Sequence, residues 1–383
     1  MIEAGAFVRA ARQAGYTRYT GVPCSFLTPF INYVINDETL TYVSSANEGD
    51  ALATAAGAAV GGEPAIVMMQ NSGLGNAVSP ITSLTWVFRI PLLLICTHRG
   101  APDLKDEPQH ELMGRITGEL LDTMQVPWRY FPDTHEAIAP ALAAAAAHIE
   151  SEQRPYGFIM RKGTIAPHEL ERAPIPARAA ASRRRASDWS GQPRILREAA
   201  LAIIRGHTPE AGTVVIATTG YAGRELYALA DRPNQLYMVG AMGCASSFGL
   251  GLAQARPDLK VVVIDGDGAA LMRMGNLATI GAYGGDNLFH IVLDNEVHDS
   301  TGAQATVSSR VAFADIATAC GYGVALDGDT AGVLHGLFAD DDAAGARFAH
   351  LKIRPGTRAD LPRPSIKPSD VVRRLMSHIG TSF

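Results

Sequence analysis

Cysteine is scarce: four in 383 residues, Cys24, Cys96, Cys244 and Cys320. They stand far apart and form no CxxC pair, which argues against a disulfide framework or a thiolate zinc site and fits a reducing cytoplasm. Long apolar runs are missing too. No segment reaches the roughly 18 uncharged apolar residues needed to span a bilayer. The first residues, MIEAGAFVRAARQAGYT, read as an amphipathic helix and lack the apolar centre of a signal peptide. Basic charge is not in excess either, with 33 Lys and Arg against 38 Asp and Glu and a net charge of -5. Nucleic-acid binders usually carry a basic balance. Neither a nucleic acid nor a membrane is therefore expected as a partner.

What the chain does have is apolar material. Hydrophobic residues make up 47% and charged residues 19%, enough to bury a large core and to set global disorder aside. At about 100–200 residues per domain, the length suggests two or three domains. Short apolar runs alternate with Ala-rich helical stretches throughout. Strands are expected at 40–44, 65–69, 91–96 and 156–160, then at 213–218, 236–239, 261–264 and 289–293, with 350–353 later. Helical patterns lie between, at 49–60 and 274–283 for example. The 141–147 alanine run is most simply a helix, since Ala has the best helix propensity. Strands apolar on both faces and alternating with helices indicate parallel sheets in an α/β fold.

The two halves share size and rhythm. Between them, ERAPIPARAAASRRRASDWSGQP (171–193) has no apolar period and reads as an exposed linker. Its Arg183-Arg184-Arg185 run reads as solvated charge rather than a nucleic-acid patch. The expected division is 1–170, a linker 171–193, and 194–383.

The chemistry concentrates in VVVIDGDGAALMRMGNLATIGAYGGDNLFHIVLDNEVHD, 261–299. One strand runs into Asp265-Gly266-Asp267-Gly268; the next ends in Asp294-Asn295. In an open parallel sheet, ligands bind at the carboxyl ends of strands. If the two strands are neighbours, Asp267 and Asn295 share a crevice, and a carboxylate with an amide oxygen suits Mg²⁺ or Ca²⁺. Backbone N–H groups of Gly268 and Ala269 can meet an anion at the helix start. Alone, such a turn is also ordinary strand–turn–helix punctuation. The spacing adds weight: a GDG followed one βαβ unit later by an amide resembles the thiamine diphosphate signature, whose usual Asn-Asn is here Asp294-Asn295. The resemblance implies that Asp267, Asn295 and the Val297 carbonyl hold Mg²⁺ on the diphosphate of thiamine diphosphate.

A second stretch, Val239-Gly240-Ala241-Met242-Gly243-Cys244-Ala245-Ser246-Ser247, follows a strand and opens a helix, which makes a phosphate cradle. Met242 resembles the apolar residue that wedges between the cofactor rings of thiamine enzymes, and core filling is the other reading. Thr219 and Gly220, after another strand end, look like a third diphosphate contact. In the first half, Glu48 precedes a small-residue helix. It reads as a helix N-terminal acid favoured by the macrodipole. It also stands where thiamine enzymes carry the glutamate that activates the pyrimidine ring. The cofactor-binding set is then Glu48, Thr219, Gly220, Gly240, Met242, Gly243, Gly268, Ala269 and Asn295.

Four longer motifs resemble the phosphonopyruvate decarboxylase family, with sulfopyruvate decarboxylase its near relative: GVPCSFL from Gly21, TGYAGREL from Thr219, NEVHDSTG from Asn295, and HRG from His98 followed by KDEPQH from Lys105. The resemblance runs from about residue 3 to 378. It implies two doubly wound parallel-sheet domains of the thiamine diphosphate-binding type, pyrimidine and diphosphate, with no middle domain. It implies decarboxylation of a small anionic 2-keto acid. It also implies a homodimer or homotetramer with active sites at the subunit interface. Ala241 and Ala303 depart from the Ser and Gly expected in the nearest relatives.

A multiply anionic substrate needs local cations in an acidic protein. Arg99, Lys105, His110 and Arg115 follow an apolar strand, and Arg offers a planar fork to a phosphonate. Asp106 and Glu107 are read as orienting these cations; a charged solvated loop is the alternative. Ser25 and Asn71 are small polar groups near strand ends that also qualify as substrate contacts. His298 follows the metal amide by three residues and can relay protons. With Glu48 it makes the expected catalytic pair. The rival functions are sulfopyruvate decarboxylation, thiamine-dependent carboligation, and a nucleotide-binding module without catalysis.

Overall fold

The structure, a computed structural model, describes residues 1–172, 184–192, 194–339 and 343–383. It divides into two units, Met1–Pro176 and Ala177–Ser382. The first carries strands β1 (Arg18–Gly21), β2 (Thr41–Ser44), β3 (Ala65–Met69), β4 (Leu93–Thr97), β5 (Trp128–Tyr130) and β6 (Tyr156–Met160) in one parallel sheet of order β2-β1-β3-β4-β6-β5. Every residue of β3, β4 and β6 is buried. Strands apolar on both faces are stable only where helices cover the sheet on both sides. On one side a cluster of Phe7, Phe30, Phe131 and Phe158 fills the space, with ring centroids 4.5 Å apart for Phe7 and Phe131.

The second unit adds β7 (Arg184–Asp188), β8 (Thr213–Ala217), β9 (Gln235–Tyr237), β10 (Lys260–Gly266), β11 (Leu288–Asp294), β12 (Val297–His298), β13 (Gln304–Ala305), β14 (Val324–Gly328) and β15 (Arg347–Lys352). Seven of these form a parallel sheet of order β7-β14-β15-β11-β10-β8-β9; β12 and β13 pair as a small antiparallel hairpin. In each unit the chain leaves a strand, lays down the next on one side, then crosses to the other. The crossing helices are Glu48–Val60 and Ala245–Ala255. Both are built of small residues and buried almost throughout. Ala, Gly and Ser there let a helix lie close to the sheet without a bulky spacer.

All nine expected strands form, β3 and β6 with the expected ends and the other seven with shifted ends. β1, β5, β7 and β14 were not expected, because each is short or carries polar residues where an apolar run would have marked it. The 171–193 reading meets a difference. Residues 173–183 and 193, Arg183 among them, lie outside the described residues, but Arg184–Asp188 is an edge strand paired with β14 rather than a linker. Backbone pairing holds it, since its sequence offers no apolar run. Arg185 is not a free solvated charge: it bonds Asp327 at 2.7 Å and Asp315 at 2.9 Å. None of the four cysteines forms a disulfide. Among the described residues no helix is long and apolar enough to cross a membrane.

Candidate active site

In the second unit β8 lies between β9 and β10, so the direction of strand addition reverses there and the loops at the carboxyl ends part into a crevice. Thr219 and Gly220 after β8, Asp267, Gly268 and Ala269 after β10, Asn295, Val297 and His298 after β11, and Met242 line one pocket. β10 and β11 are direct neighbours with Gly266 opposite Leu293, which puts Asp267 and Asn295 on adjacent loops. Gly240 and Gly243 flank Met242 in the chain without lining the pocket. A Cβ on Gly268 would fall 2.5 Å from the His298 ring and 3.1 Å from Met242 Cε, so glycine lets both side chains close over this turn.

Asp267 is 2% exposed. Burial pushes its carboxyl above the ordinary range; the Thr306 hydroxyl, which donates to it, opposes the rise, and the nearby Asp294 charge adds to it. A buried carboxylate in that state is one a cation would stabilise. Asn295, also buried, donates its amide to Asp299 at 2.6 Å and accepts the Val297 N–H at 3.3 Å. Among the described residues no three His, Cys, Asp or Glu side chains cluster as a metal site. The donor set here is of another kind: one carboxylate, one amide oxygen and backbone. That suits Mg²⁺, which shares its shell with phosphate oxygens and water. The pocket therefore fits both a diphosphate and its metal.

Beneath it runs a charged ladder that the sequence did not announce. Burial alone would raise Asp294, but His350 and Lys352, each 2.8 Å away, hold its carboxyl down at about 2. Its other oxygen takes the Glu296 N–H at 2.9 Å and the Ser308 hydroxyl at 2.8 Å. Lys352 also reaches Glu296 at 2.8 Å, and Arg194 meets that carboxylate at 3.1 Å. Glu296 sits at φ 65°, a left-handed conformation that such fixing helps to hold. Arg197 lines the pocket and bonds both Glu225 and Asp299. Asp299 belongs to the NEVHDSTG motif. Arg197, Lys352, Thr306 and Ser308 had no signal, because only folding brings such distant segments together.

In the first unit Glu48 opens its helix, with Asn47 as the cap whose side chain accepts the Gly49 N–H at 2.8 Å. Asn76 donates to Glu48 Oε2 at 2.8 Å. A Cβ on Gly73 would lie 2.4 Å from Glu48 Oε1, so the glycine leaves room for the carboxylate against its backbone. Asn76 and Gly73 were missed, though their stretch NSGLGN follows directly on β3.

The expected substrate residues divide. Ser25, Arg99 and Lys105 line an open cleft with Lys162, which was also missed. Arg99 needs a correction in detail. Its Nε and Nη2 bond both oxygens of Asp106, at 2.6 and 2.5 Å, and Nη1 reaches Ser25 at 3.1 Å. That edge of the fork is therefore committed, and the Arg99 pairing holds the Asp106 carboxyl far below the usual range. Asn71 and His110 do not line the cleft. Asn71 is fully buried and spends its amide on the Arg99 carbonyl at 2.7 Å and Thr117 at 3.0 Å, tying loop to helix. His110 is 7% exposed and packs its backbone on Gly100, where a Cβ would meet its carbonyl oxygen at 2.0 Å. Arg115 stays on an exposed helix face beside Glu111.

Comparison with known proteins bears on both units. The family described as thiamine pyrophosphate enzyme, N-terminal TPP binding domain, matches residues 3–126, and the corresponding C-terminal TPP binding domain matches 218–335. Phosphonopyruvate decarboxylase of Streptomyces viridochromogenes is 46% identical over 387 residues, covering 100% of this chain and 96% of its own. Phosphonopyruvate decarboxylase of Streptomyces hygroscopicus is 44% identical, covering 98% of this chain and 93% of its own. A solved thiamine diphosphate-dependent 4-hydroxybenzoylformate decarboxylase from Rhodococcus jostii RHA1 superposes with a TM-score of 0.72 at 13% identity, covering 93% of this chain and 100% of that one; at that identity it bears on the fold alone.

Proposed function

Because the chain belongs to the phosphonopyruvate decarboxylase family, thiamine-dependent carbon–carbon lyases, we propose that it converts 3-phosphonopyruvate to phosphonoacetaldehyde and CO₂ with thiamine diphosphate and Mg²⁺. The observation that carries the cofactor assignment is the buried Asp267 carboxylate beside the Asn295 amide at a strand-reversal crevice. Asp267, Asn295 and the Val297 carbonyl hold the metal. Thr219, Gly220, Gly268 and Ala269 surround the diphosphate, the turn Gly240–Gly243 shapes its entry, and Met242 supports the rings. When bound, thiamine diphosphate supplies the carbon nucleophile and the electron sink for loss of CO₂.

The protein's own residues bind, orient and move protons. Glu48 exchanges a proton with N1′ of the pyrimidine, and Asn76 keeps its carboxylate aimed. Arg99, Lys105 and Ser25 face the anionic end of the substrate in the open cleft. His298, whose ring lies against Gly268, is the group we assign to pass a proton to the product. We place this chemistry in a homodimer or homotetramer, each site using the first unit of one copy and the second of another, in the cytoplasm, where thiols stay reduced. Sedimentation of the holoenzyme reads the assembly; a lone monomer with full activity would overturn it.

The test of function has two stages. Metal-free protein is titrated with thiamine diphosphate, with and without Mg²⁺. Saturable, Mg²⁺-dependent binding is expected, and none would remove the cofactor reading. The holoenzyme is then given phosphonopyruvate, sulfopyruvate and pyruvate separately. Phosphonoacetaldehyde from the first at the highest kcat/KM is expected. Preference for sulfopyruvate, or acyloin products, would overturn the substrate or reaction assigned.

A further inference from the structure

We propose that Asp299, clamped by Arg197, is a positioning residue that turns the Asn295 amide so that its oxygen, and not its nitrogen, faces the metal. This rests on the metal site proposed above. A primary amide offers an acceptor oxygen and a donor NH₂ of nearly equal size, and half a turn about its terminal bond exchanges them. Only the oxygen ligates a hard cation. Some neighbour must choose.

Asp299 makes that choice by chemistry alone. Its Oδ2 lies 2.6 Å from Asn295 Nδ2. A carboxylate accepts and never donates, so the NH₂ must sit on that side and the oxygen on the other. The oxygen then carries a single 3.3 Å contact from the Val297 N–H, leaving lone-pair capacity for a cation. Asp299 is itself held: the same Oδ2 accepts Arg197 Nη2 at 2.5 Å and the Gly356 N–H at 3.1 Å. Arg197 is 6% exposed, and its other nitrogen bonds Glu225 Oε1 at 2.9 Å. Glu225 Oε2 is buried without a hydrogen-bond partner among the described residues. One guanidinium thus serves two enclosed carboxylates, and removing it would leave charge uncompensated. Arg197 and Asp299 both line the metal pocket, so the clamp belongs to the site and not to a distant core.

The test exploits a residue for which orientation has no meaning. A carboxylate at position 295 presents oxygen whichever way it rotates. Mn²⁺ binding, read by electron paramagnetic resonance with thiamine diphosphate present, is measured for the full chain, for Asp299→Ala, for Asn295→Asp and for the double variant. With Asn at 295, Asp299→Ala is expected to weaken Mn²⁺ by roughly 10–100-fold, the range of outer-shell partners at metal sites. With Asp at 295, the same substitution is expected to cost nothing or to tighten binding by removing a like charge. Unchanged affinity in the first background, or an equal loss in both, overturns the proposal. Should Asp299→Ala not fold, as thermal unfolding would reveal, Asp299→Asn carries the same cycle with a smaller loss expected. A parent chain that binds no Mn²⁺ in the presence of the cofactor defeats the metal site itself, and this inference with it.

Discussion

The two units are one scaffold with two fillings. The first has strand order β2-β1-β3-β4-β6-β5; the second, after its extra edge strand β7, runs β14-β15-β11-β10-β8-β9, the same order read from the other end. Corresponding loops can therefore be compared. After the second strand of each series, the first unit places Glu48, while the second places the glycine turn before Ala245–Ala255. After the third, the first unit has the Asn71–Gly73 turn that lies against Glu48; the second has Asp267. After the fourth come Arg99 in one and Asn295 in the other. At the next pair of matching strands, Lys162 follows β6 into the open cleft, but Lys352 ends β15 buried against Asp294 and Glu296. The sheet fixes where loops cluster. In the function proposed, the residues placed there decide whether that cluster meets an organic ring and an anion, or a metal on a diphosphate.

The sharpest way to break this division of labour is to exchange binding for chemistry. Glu48→Gln keeps shape and the contact with Asn76 but removes the carboxylate. Turnover is expected to fall by roughly 10²–10⁴, the range for a positioned acid or base, with cofactor affinity changed less than about tenfold, a loss of under about 1.4 kcal/mol. Steady-state rates alongside a cofactor titration check it; an equal loss in both would make Glu48 a binding residue. Asp267→Ala should do the reverse at the second unit. Metal affinity is expected to fall by more than the roughly 10–100-fold typical of outer-shell residues, and turnover should recover in part at high Mg²⁺. A variant that binds Mg²⁺ normally would leave the second unit without its assigned role.

Much of this arrangement was legible in the chain. Asp267 and Asn295 could be paired because strands joined by a single βαβ crossover tend to lie side by side. Glu48 was singled out by its likeness to the glutamate of thiamine enzymes; its place between a strand end and a small-residue helix fits a helix N-terminal acid equally well. Asn71 was expected to meet substrate as a small polar group near a strand end and His110 as one of a cluster of cations, yet neither lines the cleft. A polar side chain at a strand end can equally turn inward and satisfy a loop, as Asn71 does with the Arg99 carbonyl, and alternation of residue types does not distinguish the two. Arg197, Thr306 and Lys352 were invisible for a different reason. Their partners Asp299, Asp267 and Asp294 sit on other segments, and no local pattern encodes an ion pair or hydrogen bond closed by tertiary packing. β7 escaped because an edge strand can be held by backbone bonds with no apolar run at all.

A smaller effect separates Lys162, which follows β6, from Lys352, which ends the corresponding strand β15. Lys162 is exposed, lies 5.9 Å from the Phe26 ring centroid, and makes no ion pair among the described residues. Since Asp106 already occupies one edge of Arg99, Lys162 is, with Lys105, one of the two lysine charges lining the cleft that the proposed substrate would meet. Lys162→Ala is expected to raise KM for phosphonopyruvate about tenfold, as for loss of one charge-assisted bond of roughly 1.5 kcal/mol, with kcat nearly unchanged. An unchanged KM would move the anion elsewhere in the cleft.

The last contrast is in where each unit keeps its backbone strain. Non-glycine residues at positive φ number six among those described: Arg89, Gln125 and Gln153 in the first unit, Ala241, Glu296 and Ala303 in the second. The first three all follow helix ends, where a left-handed residue is a common terminator. The second three are chain neighbours of residues that line the pocket of Asp267 and Asn295: Ala241 of Met242, Glu296 of Asn295 and Val297, and Ala303 on the hairpin with His298. Ala303, at φ 63°, closes the β12–β13 hairpin by donating to the His298 carbonyl at 3.0 Å. A glycine there would relieve about 1–2 kcal/mol of left-handed strain and return part of it as unfolded-state entropy, a net gain of roughly 0.5–1 kcal/mol. Gln153→Gly, at φ 51° on a helix end, should stabilise by a similar amount. The two substitutions part company at the metal. Loosening the hairpin that carries Val297 and His298 should weaken metal affinity a few-fold, whereas the helix end should leave it untouched. Thermal unfolding and Mg²⁺ titration of both variants decide the matter: if Ala303→Gly stabilises without altering metal affinity, the strain in the second unit is as incidental as that in the first.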